Sequence, residues 1–299
     1  MHNPASENGN HSQQSAAPTA AAAHISNVRR RSPWPLMILA ALFIIVPFLA
    51  WYGTWFGRTL SDEDIGEYLV DEAKPRHVQH ALSQIVDRIE KRDASVKRWY
   101  PQIVALAASN TMEIRQAVAW AMGHDNQAEE FHAALLRLLA DREPIVRRNA
   151  ATALVRFKDS SGRQELRSML QPYTVTAPYE GTINSVLPEG SPVKMGSLLA
   201  RIRQGDGQIH EVRAPLSGKI SGIAAREGAQ LAVGGNLLSI EPDADTVENA
   251  LAALYVVGER DDVPGIERYA RGVEGMPERV KEEAALTAKA IESRVGDKP

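Results

Sequence analysis

Three regimes of hydrophobic patterning follow one another along the chain. Residues 35–56, "PLMILAALFIIVPFLAWYGTWF", are continuously apolar, and Tyr52 is their one ionisable side chain. From residue 76 the apolar positions Val78, Ala81, Leu82, Ile85, Val86 and Ile89 recur at i, i+3, i+4 and i+7, the signature of an amphipathic helix. Ser61 and Asp64 supply the start signal of an earlier helix as N-cap and capping-box partner. Between residues 172 and 242 the helical period gives way to short Val, Ile and Leu runs punctuated by proline and glycine, which is strand chemistry. Paired amphipathic helices resume over 246–296.

The apolar run predicts a membrane-spanning helix over 33–57. At a rise of about 1.5 Å per residue such a helix crosses a bilayer core of about 30 Å. Trp34 stands at one end and Trp51, Tyr52 and Trp55 at the other, as interfacial aromatics do. A secretory signal peptide would have a shorter apolar region ending in a small-residue cleavage site, which "WYGTWFGRTL" does not offer. Arg29, Arg30 and Arg31 precede the run, whereas Arg58 alone follows closely, ahead of acidic "SDEDIGE". The positive-inside rule then predicts a cytoplasmic tail over 1–32, disordered for want of large apolar side chains, with the main domains outside the cytoplasm. For a Gram-negative bacterium this means a single-pass protein of the inner membrane with periplasmic domains.

The helical region contains a repeat. "MEIRQAVAWAMG" (112–123) aligns with "PIVRRNAATALV" (144–155), which sets Arg115 over Arg147 at a period of 32, with a leucine-rich helix and an aspartate between them. Alanines 117, 121, 150 and 153 let helices approach closely, and Leu135, Leu136, Leu139 and Leu154 fill the space between. Each helix pair buries its face by stacking on a neighbour, so the unit reads as a solenoid. This arrangement resembles HEAT-like repeats of the PBS-lyase type, which implies helical repeats over 60–171 and again over 243–299, and a role in binding other proteins.

The β region is duplicated. "TAPYEGTINSVLPEGSPVKMGSLLARI" (176–202) matches "RAPLSGKISGIAAREGAQLAVGGNLLSI" (213–240), with glycines paired as Gly181/Gly218, Gly190/Gly228 and Gly196/Gly235 at expected tight turns. The two half-motifs resemble the biotinyl/lipoyl-like barrel-sandwich hybrid of biotin carriers, lipoyl carriers and membrane-fusion (HlyD-type adaptor) proteins. The resemblance implies a cofactor lysine at the tip of the hairpin joining the halves, at the position of Gly207. Gly205, Asp206 and Gly207 occupy that tip and offer no amine, so no cofactor is expected. Lys194 lies in the first half's own turn and Lys219 in a strand. The adaptor branch carries a long helical hairpin at the same tip, but nine residues (203–211) are too few for two helices of roughly 12 residues each. The predicted fold class is therefore α+β and multidomain: one N-terminal transmembrane helix and an α-solenoid interrupted by an all-β barrel-sandwich domain over 172–242.

Composition narrows the chemistry. The net charge of −3 provides no basic field for nucleic acid, and the absence of cysteine excludes disulfides and thiolate catalysis. His77 and His80, or His124 with Asp125, Glu129, Glu130 and His132, lack the i, i+4 histidine pair of a zinc helix, and no phosphate loop or nucleophile elbow is present. No catalytic, metal or cofactor residue is expected. The sequence points to a non-enzymatic, membrane-anchored scaffold or accessory subunit that binds proteins of an inner-membrane complex. A divergent export-system adaptor and a covalent-cofactor carrier are the alternatives.

Overall fold

The computed structural model describes residues 34–55 and 59–296. These belong to two compact units, one ending at Arg58 and one beginning at Thr59. In the first, α1 (Trp34–Trp55) contains Pro47, and the side chains of Trp34 and of Met37 through Leu49 are exposed.

The transmembrane expectation is overturned. Among the described residues no helix is long and apolar enough to cross a membrane. The single-pass placement in an inner membrane, with lipid contact through 33–57, falls with it. Arg29, Arg30, Arg31 and the tail over 1–32 lie outside the described residues.

The second unit begins with α2 (Asp62–Val70), where the Ser61 hydroxyl accepts from the Asp64 N–H at 3.1 Å and Asp64 accepts in return from the Ser61 N–H at 3.1 Å. Then follow α3 (Pro75–Glu90), a 3₁₀ turn (Ala94–Trp99), α4 (Tyr100–Leu106), α5 (Met112–Met122), α6 (Glu129–Leu138), α7 (Pro144–Arg156) and α8 (Arg163–Ser168). After the β segment come α9 (Ala244–Val257), a 3₁₀ turn (Arg260–Asp262), α10 (Val263–Ala270) and α11 (Glu278–Gly296). α3, α5, α7, α9 and α11 each pack on the next, so the helical array continues from α7 to α9 across the β segment. Alanine spacing makes this stacking close: a Cβ on Gly123 would lie 2.9 Å from the Ala153 Cβ, and one on Gly162 would lie 2.7 Å from the Ala151 Cα. One core runs from Leu60 through Ile85, Ile114 and Phe131 to Leu154. A second joins Ala151, Leu166 and Leu170 to Leu251, Ile266 and Ile291.

The 32-residue period reappears as a hydrogen-bond ladder. Arg115 donates to the Ser109 carbonyl at 2.9 Å, and Arg147, one period on, donates to the Asp141 carbonyl at 2.8 Å. Arg115 also grips the Asp141 carboxylate with two bonds, of 2.7 and 3.0 Å. The next rung would fall at residue 173, where the first strand begins, and there Arg147 turns to Glu165 at 3.0 Å instead.

The β segment comprises β1 (Tyr173–Thr176), β2 (Gly181–Val186), β3 (Pro192–Val193), β4 (Leu198–Arg203), β5 (Ile209–Arg213), β6 (Gly218–Ile223), β7 (Gln230–Leu231) and β8 (Asn236–Glu241). Two four-stranded antiparallel sheets form, ordered β1-β8-β6-β3 and β5-β4-β2-β7. Exchanging the first four strands for the last four converts one order into the other, so each sheet draws strands from both halves. Their faces enclose a core of its own with Ile183, Leu199, Ile202, Ile220, Leu237 and Ile240. Gly190 donates its N–H to Ile220 and Gly228 donates to Ile183, both at 2.8 Å, and the symmetry holds again where Gly196 donates to Ala214 and Gly234 to Ala177, both at 2.8 Å.

The chain leaves the helices and returns at one place, since Tyr173 on β1 pairs with Ile240 on β8. Helix α10 clamps that place: buried Tyr269 donates its hydroxyl to the Leu170 carbonyl at 3.0 Å, and Arg268 donates to Glu241 at 2.5 Å. Burial pushes the Tyr269 phenol up to about 12. Arg163 and Arg167 of α8 reach Asp262, whose side chain is fully buried and also accepts the Glu259 N–H at 2.8 Å. Replacing this carboxylate by asparagine, which keeps the size but removes the charge, is expected to cost about 2–3 kcal/mol, discounted because Arg167 is partly solvated. Denaturant unfolding of D262N tests this, and a change below about 0.5 kcal/mol contradicts it.

Candidate docking cleft

The residues singled out in the sequence occupy scattered structural posts. Gly181, Gly190, Gly196, Gly218 and Gly228 all have positive φ, but the expected pairing of Gly196 with Gly235 is corrected: the second turn glycine with positive φ is Gly234 (+81°). The shared Gly-x-Leu-Leu motif matches Leu198-Leu199 with Leu237-Leu238, whereas the backbone pairs Ser197 with Gly235, each accepting an N–H from an equivalent alanine at 2.8 Å. At the tip between β4 and β5, Gly205, Asp206 and Gly207 form a tight turn closed by the Gln204 N–H on the Gln208 carbonyl and the Gly207 N–H on the Gln204 carbonyl, both at 2.9 Å. The Asp206 carboxylate is occupied in accepting the Gln208 N–H at 2.9 Å. Lys194 is exposed in the β3–β4 turn and Lys219 is exposed on β6.

The histidines are engaged in tertiary contacts. His77 stacks on Tyr68 with ring centroids 4.3 Å apart and meets Asp71 at 3.0 Å, and His80 meets Gln84 at 2.9 Å. His132 meets Asp159 at 2.6 Å, and Asp125 accepts the Tyr100 hydroxyl at 2.6 Å. Burial and the Asp125 carboxylate both push that phenol well above its usual range. Among the described residues no group of three or more His, Asp or Glu is placed to hold a metal ion.

A cleft of about 520 Å³ with mixed chemistry lies where the helical array meets the β segment. Its helical side comes from α5 (Gln116, Trp120), α7 (Ile145, Arg148, Asn149, Thr152, Arg156) and the start of α9 (Asp243, Asp245, Thr246, Asn249). Its β side comes from two turns, through Met195 after β3 and through Leu216 and Ser217 after β5. Clefts of roughly this size are a common form of binding site. Trp120 is 44% exposed and Met195 40% exposed, both unusually open for such large apolar side chains.

Helical geometry decides the polar lining. Adjacent residues on a helix point about 100° apart, so Arg147 and Arg148 leave α7 in different directions and approach Glu165 at opposite oxygens. Arg147 takes the repeat ladder and Glu165. Arg148 takes the cleft side and is only 6% exposed. Asn149 ties α7 to α5 by donating to the Gln116 carbonyl at 3.1 Å, and Thr152 donates back to the Arg148 carbonyl at 2.9 Å. Asp243 caps α9 by accepting the Thr246 N–H at 2.9 Å. His124, packed edge-on against Trp120 at 4.8 Å, has its pKa lowered by burial and by nearby Arg156, so it lines the cleft as a neutral ring at pH 7. Sequence reasoning missed this cleft. The one available signal was Arg148 in a helix whose other flank already used an arginine, and nothing in the sequence foretold that two β turns would fold over it.

No curated protein matches the chain. A solved single-chain, multi-domain long-chain acyl-CoA carboxylase is similar at 21% identity over 34% of this chain and 10% of its own length, with a TM-score of 0.23, too slight a likeness to inform the fold. The chain therefore spans about a tenth of that protein. Residues 100–175, from α4 to the start of β1, match the family model described as HEAT repeats.

Proposed function

We propose that this chain is a non-enzymatic scaffold or accessory subunit that binds other proteins through its helical repeats and through a β domain working without a covalent cofactor. The observation that carries the reading is the HEAT-repeat match over 100–175, on helices that line the cleft facing the β domain. Repeat arrays of this type present extended surfaces to protein partners. The exchange symmetry of the two sheets supports reading the β domain as a biotinyl/lipoyl-like barrel-sandwich. Its tip, Gly205-Asp206-Gly207, supports a role without a swinging prosthetic arm. The same five-residue turn, 204–208, argues against an export adaptor with a projecting helical hairpin.

Photo-crosslinking tests the proposal in the full chain. A photoreactive residue at Trp120 and another at Val233, which is 66% exposed, are expected to capture discrete polypeptides in the native cell. Intact mass of the purified chain is expected to equal that calculated from the sequence. Absence of any crosslinked polypeptide at either site overturns the scaffold reading, and an added mass mapped to residues 172–242 overturns the cofactor-free one.

A further inference from the structure

Arg148 is buried with an incomplete set of partners. No hydrogen bond joins its guanidinium to any described residue, and its Nε is enclosed with none at all. Its ion-pair partner, Glu165, is shared. One Glu165 oxygen accepts from Arg147 Nε at 3.0 Å, and the other stands 3.7 Å from Arg148 Nε, beyond hydrogen-bond reach. One carboxylate thus faces two guanidiniums, Asp243 adds a negative charge from farther off, and Arg148 Nε keeps no hydrogen-bond acceptor. A buried charge is costly unless it is paired and hydrogen-bonded, so a site that keeps one open is built for an anion from outside.

We infer that the cleft seats an acidic side chain, aspartate or glutamate, from a partner peptide, with the carboxylate on Arg148 and the neighbouring apolar residue against Trp120 and Met195. This rests on the scaffold reading and specifies the chemistry of its partner. A carboxylate matches the planar fork of a guanidinium with two parallel hydrogen bonds. A chain-terminal carboxylate is captured instead by free backbone amides. Here two amides of the cleft wall are already spent: Met195 N–H goes to the Ser217 hydroxyl at 3.1 Å and Thr246 N–H to Asp243 at 2.9 Å. Asp243 and Asp245 on the cleft wall admit a singly charged carboxylate and oppose a doubly charged phosphate.

A displayed library of random internal peptides, selected on the immobilised full chain, tests this without knowledge of the natural partner. Enrichment of sequences that place Asp or Glu beside an apolar residue is expected. The best peptide is expected to lose at least about tenfold in affinity when its acid becomes the amide, or when the protein carries Arg148→Met, and to recover in part with Arg148→Lys, which keeps the charge without the fork. R148M is expected to melt no lower than the parent chain, because it removes a buried charge that lacks a hydrogen-bond acceptor and leaves Glu165 paired with Arg147. The inference is overturned if the selection enriches nothing acidic, if amide and acid bind alike, if R148M binds as the parent does, or if a phosphoserine version binds tighter. Crosslinking at Trp120 or Val233 with any of these results leaves the scaffold reading standing, so the two fail separately.

Discussion

Asp141→Ala is expected to destabilise the chain by about 3–5 kcal/mol, the cost of stranding a buried cation. Arg115 is 6% exposed, and its guanidinium is held by Asp141 on two sides and by the Ser109 carbonyl on a third. Without the carboxylate that cation has one acceptor left. The double variant Arg115→Met with Asp141→Ala removes both charges and is expected to recover most of the loss. Burial pushes the Asp141 carboxyl up, but Arg115 and the Glu143 N–H more than offset it, so the group sits below its ordinary range. The sign for pH follows. The contribution is complete above about pH 4, where an unfolded aspartate is ionised, and is lost as pH falls through the lower folded value. Denaturant melts at pH 7 and pH 3 measure both effects. A single-variant loss under 1 kcal/mol, or equal sensitivity of the parent and D141A to acid, contradicts the account.

Gly218→Ala is expected to cost about 3–5 kcal/mol through backbone strain and overpacking together. Its φ is +154°, and an added Cβ would collide with the Glu241 carbonyl and come within 2.7 Å of Ile240 Cγ2. Gly181, its twin in the other sheet, has φ +149° and would meet the Arg203 carbonyl and Ile202 Cγ2 in the same way. The two alanine variants are therefore expected to fail to the same extent, whereas Gly205→Ala at the open hairpin tip is expected to change little. Limited proteolysis within 172–242, with unfolding curves, distinguishes the cases. Unequal damage at Gly181 and Gly218 would count against the twofold relation of the halves.

The duplication was legible because hairpins that press a backbone against a neighbour's carbonyl exclude every residue except glycine, and the spacing of those glycines is visible in the sequence. It failed by one residue at Gly235, where the Gly-x-Leu-Leu match selects Gly235 but the turn with positive φ falls at Gly234. The repeat was legible in Arg115 and Arg147 because both serve the same turn. The continuous apolar run over 35–56 suggested a bilayer, and among the described residues no helix is long and apolar enough to cross one. The cleft was hidden for a different reason. An arginine in an alanine-rich helix reads as solvated, and Arg148 instead shares a cleft with Met195 and Leu216, residues about 50 and 70 positions away that no local pattern connects to it.

The placement of the β segment between α8 and α9 also sets the order of events as the chain leaves a ribosome. Leu166 and Leu170 emerge early, yet their core partners Leu251 and Ile266 follow only after the whole two-sheet segment has been made. At 5–20 residues per second those roughly 70 intervening residues take about 4–14 s. The two-sheet segment has its own apolar centre and can close in that interval, bringing its ends together as β1 meets β8. The nascent helices meanwhile hold an uncapped greasy end, so the window of greatest exposure to aggregation or chaperone capture opens at Leu170 and shuts when Ile291 arrives.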